Sequence, residues 1–357
     1  MKKIVLIISV VMMFALVMTG CAQPVEETEV KEVEVKDAAA STVVNLYTDR
    51  HYDTDQALFD LFTEKSGITV NVVKAGSDEL IERLTREGAD TEADVLMTAD
   101  AGRLHRAKAL DLLQPVTSEV LEANVPANLK DAENFWTALT IRARVLVYSL
   151  DRVSPSELST YEDLGSEKWN GKVLVRSSSN IYNQSLLASL IAVEGEEKAE
   201  QVVTVILNNM ARTPQGNDRD QAKAVVAGEG DVAIMNTYYI GKMINSEDPA
   251  EVEVASKVGV FFPDQETNGT HINISGAGIT KYAKHSDAAL LLIEFLSSDE
   301  AQESFAQANY EYPVNPNVEA SDLLKSWGDF KAQDINLSLL GEYNNKAVEI
   351  FNRIGWE

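Results

Sequence analysis

The chain of 357 residues holds one cysteine, Cys21, and four histidines, His51, His105, His271 and His285. With nothing downstream of Cys21 to pair it, disulfides, thiolate metal sites and cysteine nucleophiles are excluded from the folded part. Basic residues are scarce, 31 Lys and Arg against 56 Asp and Glu, for a formal net charge of −25. Phosphate binding needs a concentrated basic footprint, so nucleic acid is excluded as a partner. Adsorption to anionic lipid is disfavoured for the same reason. No Gly-x-Ser-x-Gly elbow, His-Glu-x-x-His pair or P-loop occurs, which argues against an enzyme. The lone Gly276-Ala277-Gly278 is too little for a nucleotide loop and reads as a close backbone crossing or a hinge. Trp136, Trp169, Trp327 and Trp356 are scattered, which weighs against a sugar site built on ring stacking. There is no internal repeat.

The first residues, Met1-Lys2-Lys3, precede an apolar run from Ile4 to Met18 and then Thr19-Gly20-Cys21. This is a charged n-region, an h-region and a small-residue cleavage site. The run is shorter than the roughly 20 residues that cross a bilayer. Residues 1–20 are expected to be a lipoprotein signal peptide, with Cys21 as the lipidated N-terminus. Residues 21–42 follow as a tether in which Glu26, Glu27, Glu29, Glu32, Glu34 and Asp37 face only Lys31 and Lys36. Like charge and polarity keep such a segment disordered. The expected location is extracytoplasmic, lipid-anchored to the cell membrane, in a periplasm or on an outer cell surface.

Beyond the tether, strands and helices alternate, which predicts a parallel-sheet α/β architecture. Strands are expected at residues 43–47, 68–73, 94–97, 141–149, 173–176, 232–235, 258–262 and 273–280. Helices are expected at 55–65, 77–87, 101–109, 181–193, 197–210, 218–226, 287–296 and 300–307, with a mainly helical tail from 322 to 357. The length suggests two lobes. The expected N-terminal lobe is 43–141 plus 275–318, and the C-terminal lobe is 142–274 plus 319–357. Two strands cross between them, which describes a clamshell that closes on a small ligand.

Tyrosine supplies the chemistry. His51-Tyr52, Tyr182 and the pair Tyr238-Tyr239 all fall at loop-like, polar places. A phenol keeps its proton to about pH 10, so it ligates only a cation that can displace that proton. Phenolate oxygens with one imidazole suit a hard trivalent ion. Together with Asn45-Leu46-Tyr47, Ala99-Asp100-Ala101-Gly102-Arg103-Leu104 and Trp169-Asn170-Gly171-Lys172, these residues resemble the bacterial ferric-iron-binding proteins of ABC importers. The closest resemblance is to the branch with a His-Tyr pair near the mature N-terminus.

That resemblance covers most of the chain beyond about Val43. It implies a two-lobed periplasmic-binding-protein fold of type II, like a transferrin lobe, with a two-strand hinge and a cleft between lobes. It implies ferric iron (Fe3+) ligands at His51, Tyr52, Tyr182, Tyr238 and Tyr239. Its partners would be an ABC permease and its ATPase, with the protein a monomer held to the membrane by its N-terminal lipid. The serines before Tyr182, Ser177 to Ser179, either cap a helix or bind a synergistic anion such as carbonate. A ferric ion with four tyrosinates is net negative, so a cation is expected nearby. Arg142 is the candidate, with Arg144 and Arg176 as rivals. The alternative is the same clamshell holding a polyamine, an oxyanion or a sugar.

Overall fold

The computed structural model describes residues 41–50 and 52–357. The expected signal peptide, Cys21, the tether up to residue 40, and His51 lie outside the described residues. Among the described residues no helix is long and apolar enough to cross a membrane.

Nine strands are present among the described residues: β1 (Val43–Thr48), β2 (Thr69–Lys74), β3 (Val95–Ala99), β4 (Thr137–Ser149), β5 (Val173–Leu174), β6 (Val232–Asn236), β7 (Val258–Phe261), β8 (Ile272–Ile279) and β9 (Tyr312–Pro313). They run in the order β2-β1-β3-β8-β4-β6-β5, with β7 and β9 also paired to β4. β1 lies parallel to β2 and β3, whereas β8 is antiparallel to both β3 and β4. Strands covered on both faces must be apolar throughout. Accordingly β8 is buried at every position, and β4 at all but Ile141.

β4 joins the two lobes. Its first part, to Ala143, pairs with β8 and β9, and its last part, from Arg144, pairs with β6 and β7. β8 starts beside this changeover, where the Arg144 amide donates to the His271 carbonyl at 2.9 Å. The result is a two-lobed α/β fold with β4 and β8 at the hinge. The Gly-x-Gly in β8 is a close crossing. A Cβ on Gly276 would lie 2.4 Å from the Thr137 carbonyl oxygen, and one on Gly278 would lie 2.6 Å from that of Phe135.

Helices cover both faces. Asp53–Ser66 buries Leu58, Phe59 and Phe62 against β1 and β3, each worth roughly 1.5–3 kcal/mol of burial. It ends at Gly67 with φ +73°, the left-handed cap that glycine takes without a Cβ clash. In the second lobe Ile181–Glu194 and Glu196–Asn208 pack Leu187, Ile191, Val203 and Ile206 against β5 and β6. The tail forms three helices, Asp322–Ser326, Ser338–Glu342 and Asn344–Ile354.

Two expected elements differ from the structure. The strand 173–176 stops at Leu174, because Arg176 turns inward to Asp218 and its carbonyl accepts from Asn183 and Trp356. The helix 300–307 is α-helical over Asp299–Ser304 and then widens to a π turn, Phe305–Asn309. Asn309 there donates to Asp55, and Tyr310 follows at φ +55°. π turns recur at functional sites, and this one aims Glu311 into the cleft.

Candidate metal centre

Tyr52 sits between β1 and the helix Asp53–Ser66, in extended backbone (φ −85°, ψ 142°). Tyr182 lies in the first turn of Ile181–Glu194. Asn180 caps that helix by accepting from the Tyr182 amide at 3.0 Å. The expected serine cap is therefore corrected to Asn180, whose side chain reaches the free N–H groups of the first turn. Ser177 and Ser179 instead bond one another.

Tyr238 and Tyr239, expected at a loop-like place, stand in a helix. No turn intervenes: β6 ends at Asn236 and the helix Thr237–Ile244 starts at the next residue. The side chains lie close together, with ring centroids 4.2 Å apart.

These four phenols line one cavity of about 90 Å³ together with Arg50, Arg142 and Glu311. The hydroxyls of Tyr182 and Tyr238 are 3.2 Å apart. Among the described residues no three His, Cys, Asp or Glu side chains gather as a metal site, and the cavity lining sets the four phenols beside the carboxylates of Asp49 and Glu311. Burial raises the Tyr52 and Tyr238 phenols well above the ordinary range and lifts Tyr239 to about 12, with neighbouring phenolates adding to each rise. Burial thus favours the protonated form of Tyr52, Tyr238 and Tyr239.

Charge around the phenols is unevenly paired. Arg144 and Arg176, whose guanidinium carbons lie 5.8 and 5.5 Å from the Tyr182 ring centre, both bond Asp218, at 2.9 and 3.2 Å. Arg142 is also 5.8 Å from that ring and 2 % exposed. It donates from Nη1 to Ser275 at 3.0 Å, and its nearest carboxylate, Glu311, is 3.9 Å away. Its Nε and Nη2 have no hydrogen-bond partner among the described residues. Of the three arginines, Arg142 keeps the most unspent positive charge facing the phenols.

Three participants were not read from the sequence. Arg50 forks onto Asp55 at 2.9 and 3.0 Å and reaches Glu311 at 2.9 Å, with its guanidinium 5.1 Å from the Tyr52 ring centre. Glu311 is buried, accepts also from Thr140 at 2.9 Å, and is held below the usual carboxylate range by Arg50 and Arg142 against the cost of burial. Lys242, one turn beyond Tyr238 in the second lobe, places its ammonium 3.1 Å from the Tyr52 ring centre in the first. Burial pulls Lys242 down to about 8. The lobes are thus closed on each other across the cavity. Position i+4 from Tyr238 would have pointed to Lys242 had the helix start been known.

Residues 57–332 match the family of bacterial extracellular solute-binding proteins. Iron uptake protein A1 of Synechocystis is 48 % identical over 314 residues, 88 % of this chain and 87 % of that protein. The Trichodesmium protein IdiA (FutA), solved in complex with iron and citrate ligands, is 49 % identical with a TM-score of 0.86, covering 88 % of this chain and all of that one. The ferric binding protein from Campylobacter jejuni is 42 % identical with a TM-score of 0.84, over 88 % of this chain and all of its own.

Proposed function

The chain belongs to the bacterial extracellular solute-binding proteins, and from that premise we propose that it captures ferric iron in its interlobe cleft and delivers it to an ABC importer. It is a binding protein rather than an enzyme, and it works outside the cytoplasm. The observation that carries the ferric reading is the meeting of Tyr52, Tyr182, Tyr238 and Tyr239 in one cavity walled by guanidinium groups. Phenolate oxygens favour a hard trivalent ion, and the similar proteins named for iron support that choice.

In this reading the ligands are the four tyrosines and His51. Tyr52 comes from the first lobe and the other three tyrosines from the second, so coordination favours the closed state. Four phenolates on a ferric ion leave one net negative charge, and Arg142 offsets it. The unpartnered Nε and Nη2 of Arg142 also support an oxyanion in the site, carbonate or a chelator's carboxylate, which the Trichodesmium complex with citrate favours. Acid releases iron by returning protons to the phenols. Reduction releases it because a divalent ion repays less of the phenolate charge. The lobes divide at 43–141 plus 275–318 and 142–274 plus 319–357. A lipid on Cys21 holds the monomer at the membrane beside the permease and its ATPase.

The test is a visible-absorption titration of residues 40–357, which form one compact unit, with ferric citrate. A broad tyrosinate-to-iron band saturating at one iron, and weakened in Tyr238→Phe, is expected. No band and no retained iron would overturn the reading, and polyamines and oxyanions would then be screened against the same cleft.

A further inference from the structure

Asp100 follows β3 with no solvent exposure and a backbone φ of +87°, a conformation that side-chain-bearing residues rarely take. Such backbone persists only where its surroundings over-determine it. The amide of Asp100 donates to the Ile274 carbonyl at 2.7 Å. Its Oδ1 caps the helix Ala101–Ala109 by accepting from the Gly102 amide at 2.8 Å, and its Oδ2 accepts from Asn273 Nδ2 at 2.8 Å. Asn273 in turn accepts from the amides of Ala101 and Ile274. Asp100 is therefore fixed to β3 and to hinge strand β8.

What remains of the carboxylate faces the other lobe. The Ser185 hydroxyl lies 3.0 Å from Oδ1 and 2.8 Å from Oδ2, and Ser185 too is fully buried. Ser185 belongs to Ile181–Glu194, the helix whose first turn carries Tyr182. Three residues apart, Tyr182 and Ser185 share one helix face. Anchoring position 185 therefore fixes both the rotation of this helix and the depth to which Tyr182 enters the cavity. Burial pushes the Asp100 carboxyl up, while Arg103, Arg142 and the hydrogen bonds from Ser185 and Gly102 favour its charged form; hydrogen bonds to a water-excluded carboxylate are sensitive to small displacements.

We propose that Asp100 and Ser185 form an interlobe latch that sets the position of Tyr182 in the closed protein and so governs how long the cleft retains its iron. The latch rests on the ferric reading above. Ser185 acts as a positioning residue; it does not touch the ion.

The experiment follows iron loss from the loaded full chain to excess citrate, with the visible band and the melting temperatures of the iron-free and loaded forms. Ser185→Ala is expected to speed iron loss by about tenfold or more, the loss due to one hydrogen bond to a charged acceptor. The band should shift as Tyr182 moves. Melting of the iron-free form should stay as in the unaltered protein, while that of the loaded form falls. Ser185→Thr, which keeps the hydroxyl, should restore retention. Adding Asp100→Asn to Ser185→Ala should change retention little further, because the two groups act as one. Equal release rates and an unmoved band in Ser185→Ala would overturn the latch. So would equal lowering of both melting temperatures, or full additivity of the two substitutions. Absence of any band in the unaltered chain would instead sink the ferric reading and the latch with it.

Discussion

Iron binding should release protons in a fixed number, and that number follows from the cavity. Burial holds Tyr52, Tyr238 and Tyr239 above their ordinary range, so all three are protonated near neutrality in the empty site. A ferric ion coordinated by them must displace at least three protons. Each proton makes the binding free energy change by about 1.4 kcal/mol per pH unit. Three protons therefore weaken binding by about 4 kcal/mol, roughly a thousandfold, for each unit of acidification below neutrality. The sign is fixed: the empty site binds more protons than the loaded one, so affinity falls as pH falls. Calorimetric titration with ferric nitrilotriacetate, in two buffers of different ionisation enthalpy, counts the protons once the donor's own release is subtracted. Tyr238→Phe should lower the count by one. A count of one or less, or an affinity flat between pH 7 and 6, would refute phenolate coordination.

Arg142→Ala should weaken iron retention by roughly 2–3 kcal/mol, from one charge about 6 Å from a phenolate at an effective dielectric near 20. The loss should be larger at low pH, where protons compete for the phenols, and citrate competition at two pH values checks it. Lys242→Met removes the ammonium over the Tyr52 ring, a desolvated cation–π contact worth about 2 kcal/mol, and should weaken retention roughly thirtyfold in the same assay. His271 is buried and pushed down from 6.5 to about 3, mainly by desolvation and then by Arg144. Its folded form resists protonation, so it should cost stability progressively as pH falls from about 6.5 towards 3; His271→Asn should flatten that part of the curve in urea unfolding followed across pH.

Local pattern told more than half of this story. The β-branched and apolar residues of 145–148 and 232–235 marked strands, while Arg142 and Arg144 beside them are buried polar residues that face the cleft and Asp218. Tyr52, Tyr182, Tyr238 and Tyr239 were legible through the resemblance to ferric-iron-binding proteins, and all four line one cavity, though three of them stand in the first turns of helices and not in loops. Charge balance called for a cation and left Arg142, Arg144 and Arg176 as candidates; that Arg144 and Arg176 share Asp218 shows only in the folded chain. Glu311 was not, since it reaches the cleft through a π turn and a left-handed Tyr310 that no local propensity announces. Nor was the Arg50–Asp55–Glu311 cluster, whose members Arg50 and Glu311 stand 261 residues apart. Asp100 lay in a stretch recognised for its resemblance, yet its contact with Ser185 depends on two lobes meeting, which no single segment encodes.

The position of β8 bears on the order in which the chain folds. β8 lies between β3 and β4, yet it is made more than a hundred residues after either. While a ribosome is still producing the stretch between, the first lobe has a gap in its sheet where β3 and β4 cannot touch. β1, β2 and β3 can pair early, but the join between β3 and β4 waits until Ile279 has been made, when more than three quarters of the chain exists.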